Sequence, residues 1–160
     1  MFTRVGYIAS VYEAVKDHKT PAAVPSPEFR GSFSREISTD SLRLQVEADV
    51  TVAGKTYHTN NAIFDTGATI TAASNQFIEK IPADYIDRGT AYGVAGSDSA
   101  AICSASISLP GGVMFSNVDL WFMELPERFG DLLIGMDLIS QGDLSLKHED
   151  GRLILSFSVC

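Results

Sequence analysis

The segment Ala62-Ile-Phe-Asp65-Thr66-Gly67-Ala68-Thr69 sets one carboxylate directly after two large apolar residues, at the end of a stretch that reads as a strand. Burial raises a carboxyl pKa unless hydrogen bonds to the ionised form compensate. Thr66 and Gly67 are residue types that supply such bonds, and glycine, lacking Cβ, lets its N–H approach the carboxylate closely. A carboxyl group tuned in this way is a candidate general acid or base. The plainer alternative is an aspartate that caps a turn. Other chemistries have less to work with. His18, His58 and His148 are scattered, with no HExxH pair and no cysteines at zinc spacing, so no metal is expected and the histidines read as surface residues. No GxSxG elbow, Walker loop or GxGxxG occurs, and a Ser or Cys nucleophile lacks an evident histidine partner. Gly93-Val-Ala-Gly96 is too short for a dinucleotide fingerprint and reads as a hairpin.

A second segment, Asp131-Leu-Leu-Ile-Gly-Met-Asp-Leu-Ile139, is an apolar strand that stops at Gly135 and runs into a possible helical turn. The elements around these two segments are mostly strands. Leu42, Leu44, Val46, Ala48, Val50 and Val52 alternate with polar residues, the period of a half-buried strand. Ala53-Gly54-Lys55 is a turn, and Tyr57 to Phe64 returns as a second strand. Ser74 to Lys80 allows a short helix, and Asp137 to Gln141 a single helical turn ended by Gly142. Residues 91–109 are small and β-branched, and Val113 to Leu125 reads as one or two strands around Asn117. Leu144 to His148 and Arg152 to Phe157 form a terminal hairpin around Glu149-Asp-Gly151. The sum is a mostly β, mainly antiparallel compact barrel with little helix.

With both segments in view, the chain resembles the retropepsin-like aspartic proteases, single-domain relatives of pepsin. Ile63-Phe64-Asp65-Thr66-Gly67-Ala68 matches the family's apolar pair and Asp-Thr-Gly-Ala, Tyr92-Gly93-Val94-Ala95-Gly96 its glycine-bearing flap, and Leu133-Ile134-Gly135 its apolar-apolar-Gly segment. Order and spacing agree over residues 42–157. Ala68 is closer to the retroviral pattern, Tyr92-Gly93 to the pepsin flap. The resemblance implies a small closed antiparallel barrel of the acid-protease type. It makes Asp65 the catalytic carboxylate, Thr66 a hydrogen-bonding tie between subunits and Gly67 the donor of an N–H to the carboxylate. Ala68 and the flap residues Tyr92, Gly93, Val94, Ala95 and Gly96 would meet a peptide or protein substrate held extended. Leu133, Ile134 and Gly135 would support the loop from behind. Asp137 matches an acidic position common in non-viral members, and its plainer role is to cap the short helix. No cofactor is implied. The chemistry needs two carboxyl groups sharing a proton. Only one Asp-Thr-Gly occurs, so an active form would be a twofold homodimer with Asp65 from each subunit.

At 160 residues the chain fits one domain. Residues 1–40 read as an arm and linker and 41–160 as the β-domain. Val11 to His18 has room for one or two helical turns, and Thr20-Pro-Ala-Ala-Val-Pro-Ser-Pro27 is an extended linker, each proline removing a donor and restricting its predecessor. Phe29 and Phe33 are candidates to pack on the domain. Twelve Lys and Arg against twenty Asp and Glu give a net charge of -8, which disfavours nucleic acid and anionic lipid as partners. No apolar run is long enough to span a bilayer, and Val5 to Tyr12 makes a poor signal peptide. Cys103 and Cys160 read as free thiols in a reducing compartment, hence a cytoplasmic protein. Besides a homodimeric endopeptidase, two other classes fit: a catalytically silent relative serving dimerisation or peptide binding, and a β-barrel binding domain with a chance motif. Cleavage assays separate the first from the others, and sedimentation separates the last two.

Overall fold

A computed structural model of the protein describes residues 11–16, 25–93 and 96–160. Twelve strands and one short helix follow in order. They are β1 (Val11–Lys16), β2 (Ser26–Phe29), β3 (Gly31–Ile37), β4 (Gln45–Val52), β5 (Lys55–Phe64) and β6 (Ala72–Ser74). Then come β7 (Asp87–Gly93), β8 (Gly96–Ser108), β9 (Met114–Met123), β10 (Leu132–Ile134), α1 (Met136–Ile139), β11 (Asp143–Glu149) and β12 (Arg152–Val159).

Six strands close a barrel in the order β8-β4-β5-β10-β6-β9, with β9 pairing back onto β8. Closure leaves the barrel without free edges. Alternation drives it: Val46, Ala48, Val50 and Val52 of β4 point inward while Glu47 and Asp49 face solvent. Most pairings are antiparallel, but β10 runs parallel to β5 and β6 parallel to β9. The hairpins β4–β5 and β11–β12 turn through two residues each. At Asp150-Gly151 both residues have positive φ (49° and 77°), the turn geometry that matches strand twist and that Asp-Gly favours.

A second sheet, β11-β12-β3, packs on the barrel through Ile37, Leu155 and Phe157. Phe33 of β3 and Phe157 of β12 close on Phe64, the last residue of β5, with ring centroids 6.3 Å and 5.3 Å from it. The residue just before Asp65 is therefore anchored by strands from either side of the barrel in sequence. Phe29, by contrast, is exposed.

At residues 11–16 and 74–80 the structure departs from the local expectation. Residues 11–16 form a strand along β7 and not helical turns, because a tertiary pairing partner overrides a weak local preference; residues 17–18 lie outside the described set, as do 1–10 and the linker from 20 to 24. Residues 75–77 form a turn and not a helix. Ser74 is already committed to a strand, its N–H donating to Asp131 O, while its hydroxyl accepts the N–H of Phe77. Between 113 and 125, where one or two strands were expected, there is a single strand, β9. It absorbs one extra residue opposite β8, where Asn117 takes a positive φ of 55°.

Candidate active site

Asp65 follows the last residue of β5, and its backbone is held by β10: Asp65 N–H donates to Ile134 O at 2.9 Å. Residues 65–71 then loop out and return as β6. Strand β10 lies between β5 and β6 and so pins both ends of the loop. Beyond it, Met136 N–H donates to Ala68 O at 2.8 Å. Gly135 sits where the two segments cross. A Cβ there would come within 2.2 Å of Ile70 O, so the close approach itself demands glycine.

Asp65 is buried, with 6% of its surface exposed. Gly67 N–H donates to Asp65 Oδ1 at 2.8 Å. Burial pushes the carboxyl pKa up, and the N–H groups of Gly67 and Ala68 oppose it without cancelling it. The result is a carboxyl group that holds its proton to higher pH than an exposed aspartate does. Thr66 is exposed and Gly67 half-buried beside it, while Ala68 is fully buried.

Ala68 belongs to a small apolar cluster with Ala91 of β7, Ala100 and Ile102 of β8, Trp121 and Leu133. This cluster, separate from the barrel core, joins the Asp65 loop to both strands of the β7–β8 hairpin. Tyr92 and Gly96 lie near the end of that hairpin and are exposed, and Gly93 pairs with Gly96. Val94 and Ala95 lie outside the described residues. The structure thus gathers Asp65, Thr66, Gly67 and Ala68 in one loop and ties the hairpin to it through small side chains.

Sequence reasoning missed a clamp behind the loop. Thr71, fully buried, donates its hydroxyl to Asp137 Oδ1 at 2.7 Å and its N–H to Asp137 Oδ2 at 3.0 Å. The same hydroxyl accepts Gly135 N–H at 3.1 Å. Asp137 does not cap α1 as expected, because Gly135 holds the N-cap position and Asp137 sits inside the first turn; it accepts the N–H of its neighbour Leu138 at 3.0 Å, and its Thr71 bonds join two segments far apart in sequence. Burial raises the Asp137 pKa against these donors, the Thr71 hydroxyl first among them. The acidic residue after Gly135 was a visible signal; its partner was not. Elsewhere His58 is exposed, with Nδ1 2.7 Å from Asp49 Oδ1 across β4–β5, an ordinary surface pair.

A family model described as aspartyl protease matches residues 48–138, which contain the Asp65 loop, the hairpin and the Gly135 crossing. The chain belongs to this aspartyl protease family. The family is of the retropepsin-like type, and the closed barrel with very little helix agrees with it. No curated protein matches the chain. No helix among the described residues is long and apolar enough to cross a membrane. Family membership points to protease-like function.

Proposed function

We propose that the protein is a homodimeric aspartic endopeptidase in which Asp65 of each subunit forms a dyad on the twofold axis. The observation that carries this reading is the buried Asp65 at the end of β5, with Gly67 N–H on one oxygen and its pKa raised. Two carboxyl groups about 3 Å apart share one proton, because ionising both is costly. The ionised member takes a proton from a water, the water oxygen attacks the peptide carbonyl carbon, and the protonated member donates to the carbonyl oxygen. Breakdown of the resulting diol returns a proton to the leaving nitrogen. The exposure of Thr66 in the single chain is what a tie to a second subunit requires. The β7–β8 hairpin acts as the flap that holds an extended peptide over the dyad.

Wild type and Asp65→Asn, assayed side by side on a soluble peptide across pH, test the proposal. Cleavage is expected only for wild type, as a bell on the acid side, where the dyad keeps one proton. Substantial turnover by the purified Asn variant, or a rate still rising through about pH 8 while the dimer persists, sinks the assignment.

A further inference from the structure

The flap has an unusual neighbour. Strand β8 meets β9 only from Ala101 onward and β4 only from Ala105, so residues 96–100 project past the barrel with β7 alone beside them. Gly96, Ser97, Asp98 and Ser99 are exposed, and the underside contributes little more than the methyl groups of Ala91 and Ala100. A two-stranded hairpin with so little to pack is marginal in water, and a third strand changes that. Strand β1 is that third strand. It runs antiparallel to β7, from Lys16 opposite Gly89 to Glu13 opposite Tyr92, and reaches Gly93 through Val11 after a one-residue shift. It therefore covers the outer edge of the flap over the whole projecting half.

We propose that the outer edge of β7 is a strand-docking edge whose occupant is the chain's own segment Val11–Lys16, and that this segment braces the flap and restrains its opening. Three arguments favour this occupant. An open strand edge presents unpaired N–H and C=O groups that another extended segment satisfies. The register is specific over the length of β1. The tether between Lys16 and Ser26 is short, so docking is intramolecular and favoured over a free peptide. The docking stands independently of the endopeptidase reading. Its effect on turnover rests on that reading, since a substrate can enter only when the flap lifts.

The test uses the full chain carrying Ala14→Pro and Val15→Pro together. Adjacent strand residues direct their N–H groups to opposite sides, so one of the two prolines removes a donor from the β7-facing side. Amide exchange is followed over residues 87–93 and 96–100, with β4 and β5 as the internal check that the barrel is intact. Exchange in the flap is expected to rise at least tenfold with β4 and β5 unchanged, and kcat/KM to rise severalfold. A chain folded with a specific-protease site placed across residues 20–24, and then cut, is expected to change in the same direction. Unchanged flap exchange in both forms overturns the docking. Faster flap exchange with unchanged or lower kcat/KM overturns the restraint. If no form cleaves peptide, the endopeptidase reading fails, and the exchange comparison alone upholds or overturns the docking.

Discussion

Replacing Thr71 by valine removes one buried hydroxyl at nearly constant volume, and that hydroxyl joins the loop carrying Asp65 to the Gly135 crossing. Two bonds disappear. Gly135 N–H, buried, loses its acceptor at 3.1 Å, which costs about 1–3 kcal/mol because no water replaces it. Asp137 loses the 2.7 Å hydroxyl but keeps the N–H groups of Thr71 and Leu138, so that loss is worth about 1 kcal/mol. The extra buried methyl group returns about 0.8 kcal/mol. The net is about 2 kcal/mol, or a fall in Tm of about 4–8 °C for a domain of this size. The deficit should also depend on pH. The Thr71 hydroxyl holds the raised Asp137 pKa down, so removing it lifts that pKa further and penalises the ionised form. The loss is therefore larger at pH 7 than at pH 4, where the carboxyl is already becoming protonated in both proteins. Thr71→Ser keeps both bonds and sheds only a methyl group, so its deficit should be pH-independent. Urea unfolding at fixed protein concentration, at both pH values, measures all three proteins. A valine variant within about 0.5 kcal/mol of wild type, or one whose deficit is equal at the two pH values, refutes the clamp.

Gly135→Ala forces a Cβ to 2.2 Å from the backbone oxygen of Ile70, which cannot move without moving the Asp65 loop. A loss of more than about 3 kcal/mol is expected by urea unfolding, in line with overpacking a rigid site, and an alanine variant of wild-type stability would contradict the close crossing. Asp65→Asn should raise Tm at pH 7. The folded pKa of Asp65 is raised, so the stability it contributes is full below the unfolded value and is lost as pH climbs through the folded one. The gain, roughly 2–4 °C per kcal/mol, should shrink on acidification towards pH 4, and a gain that grows instead has the sign wrong. If the proposed homodimer forms, Thr66→Ala should weaken it, since a hydrogen bond left unmade at each of two symmetric sites costs about 1–3 kcal/mol apiece. An unchanged dimer dissociation constant by sedimentation would remove Thr66 from the interface.

Much of the barrel was written locally. The alternation through Val46 and Val52, the Asp150-Gly151 turn and the helical turn before Gly142 each depend on neighbours a few residues away, and the structure has them. What failed depended on distant partners. Residues 11–16 are extended because β7 offers an edge, which no local pattern announces. Ser74 is claimed by Asp131 before a helix can use it. The Asp65 loop was legible as a motif, because its glycine and acid lie two positions apart. The Thr71–Asp137 bond was not, because its members lie 66 positions apart and Thr71 is not unusual alone.

That separation has a kinetic side. Strand β10 is only three residues long, yet it holds both ends of the Asp65 loop. Thr71 must wait for Gly135, 64 positions onward, before its hydroxyl is engaged. Contacts this distant form late, after the entropy of closing the intervening loop has been overcome. A nascent chain that has emerged only as far as Leu125 already contains Asp65, Thr66 and Gly67, but lacks β10 and the Gly135 crossing that tie the two ends of their loop together. Assembly of the Asp65 loop is thus deferred until residues 132–137 exist, so a chain that stops short of them carries the residues of the candidate site without their geometry.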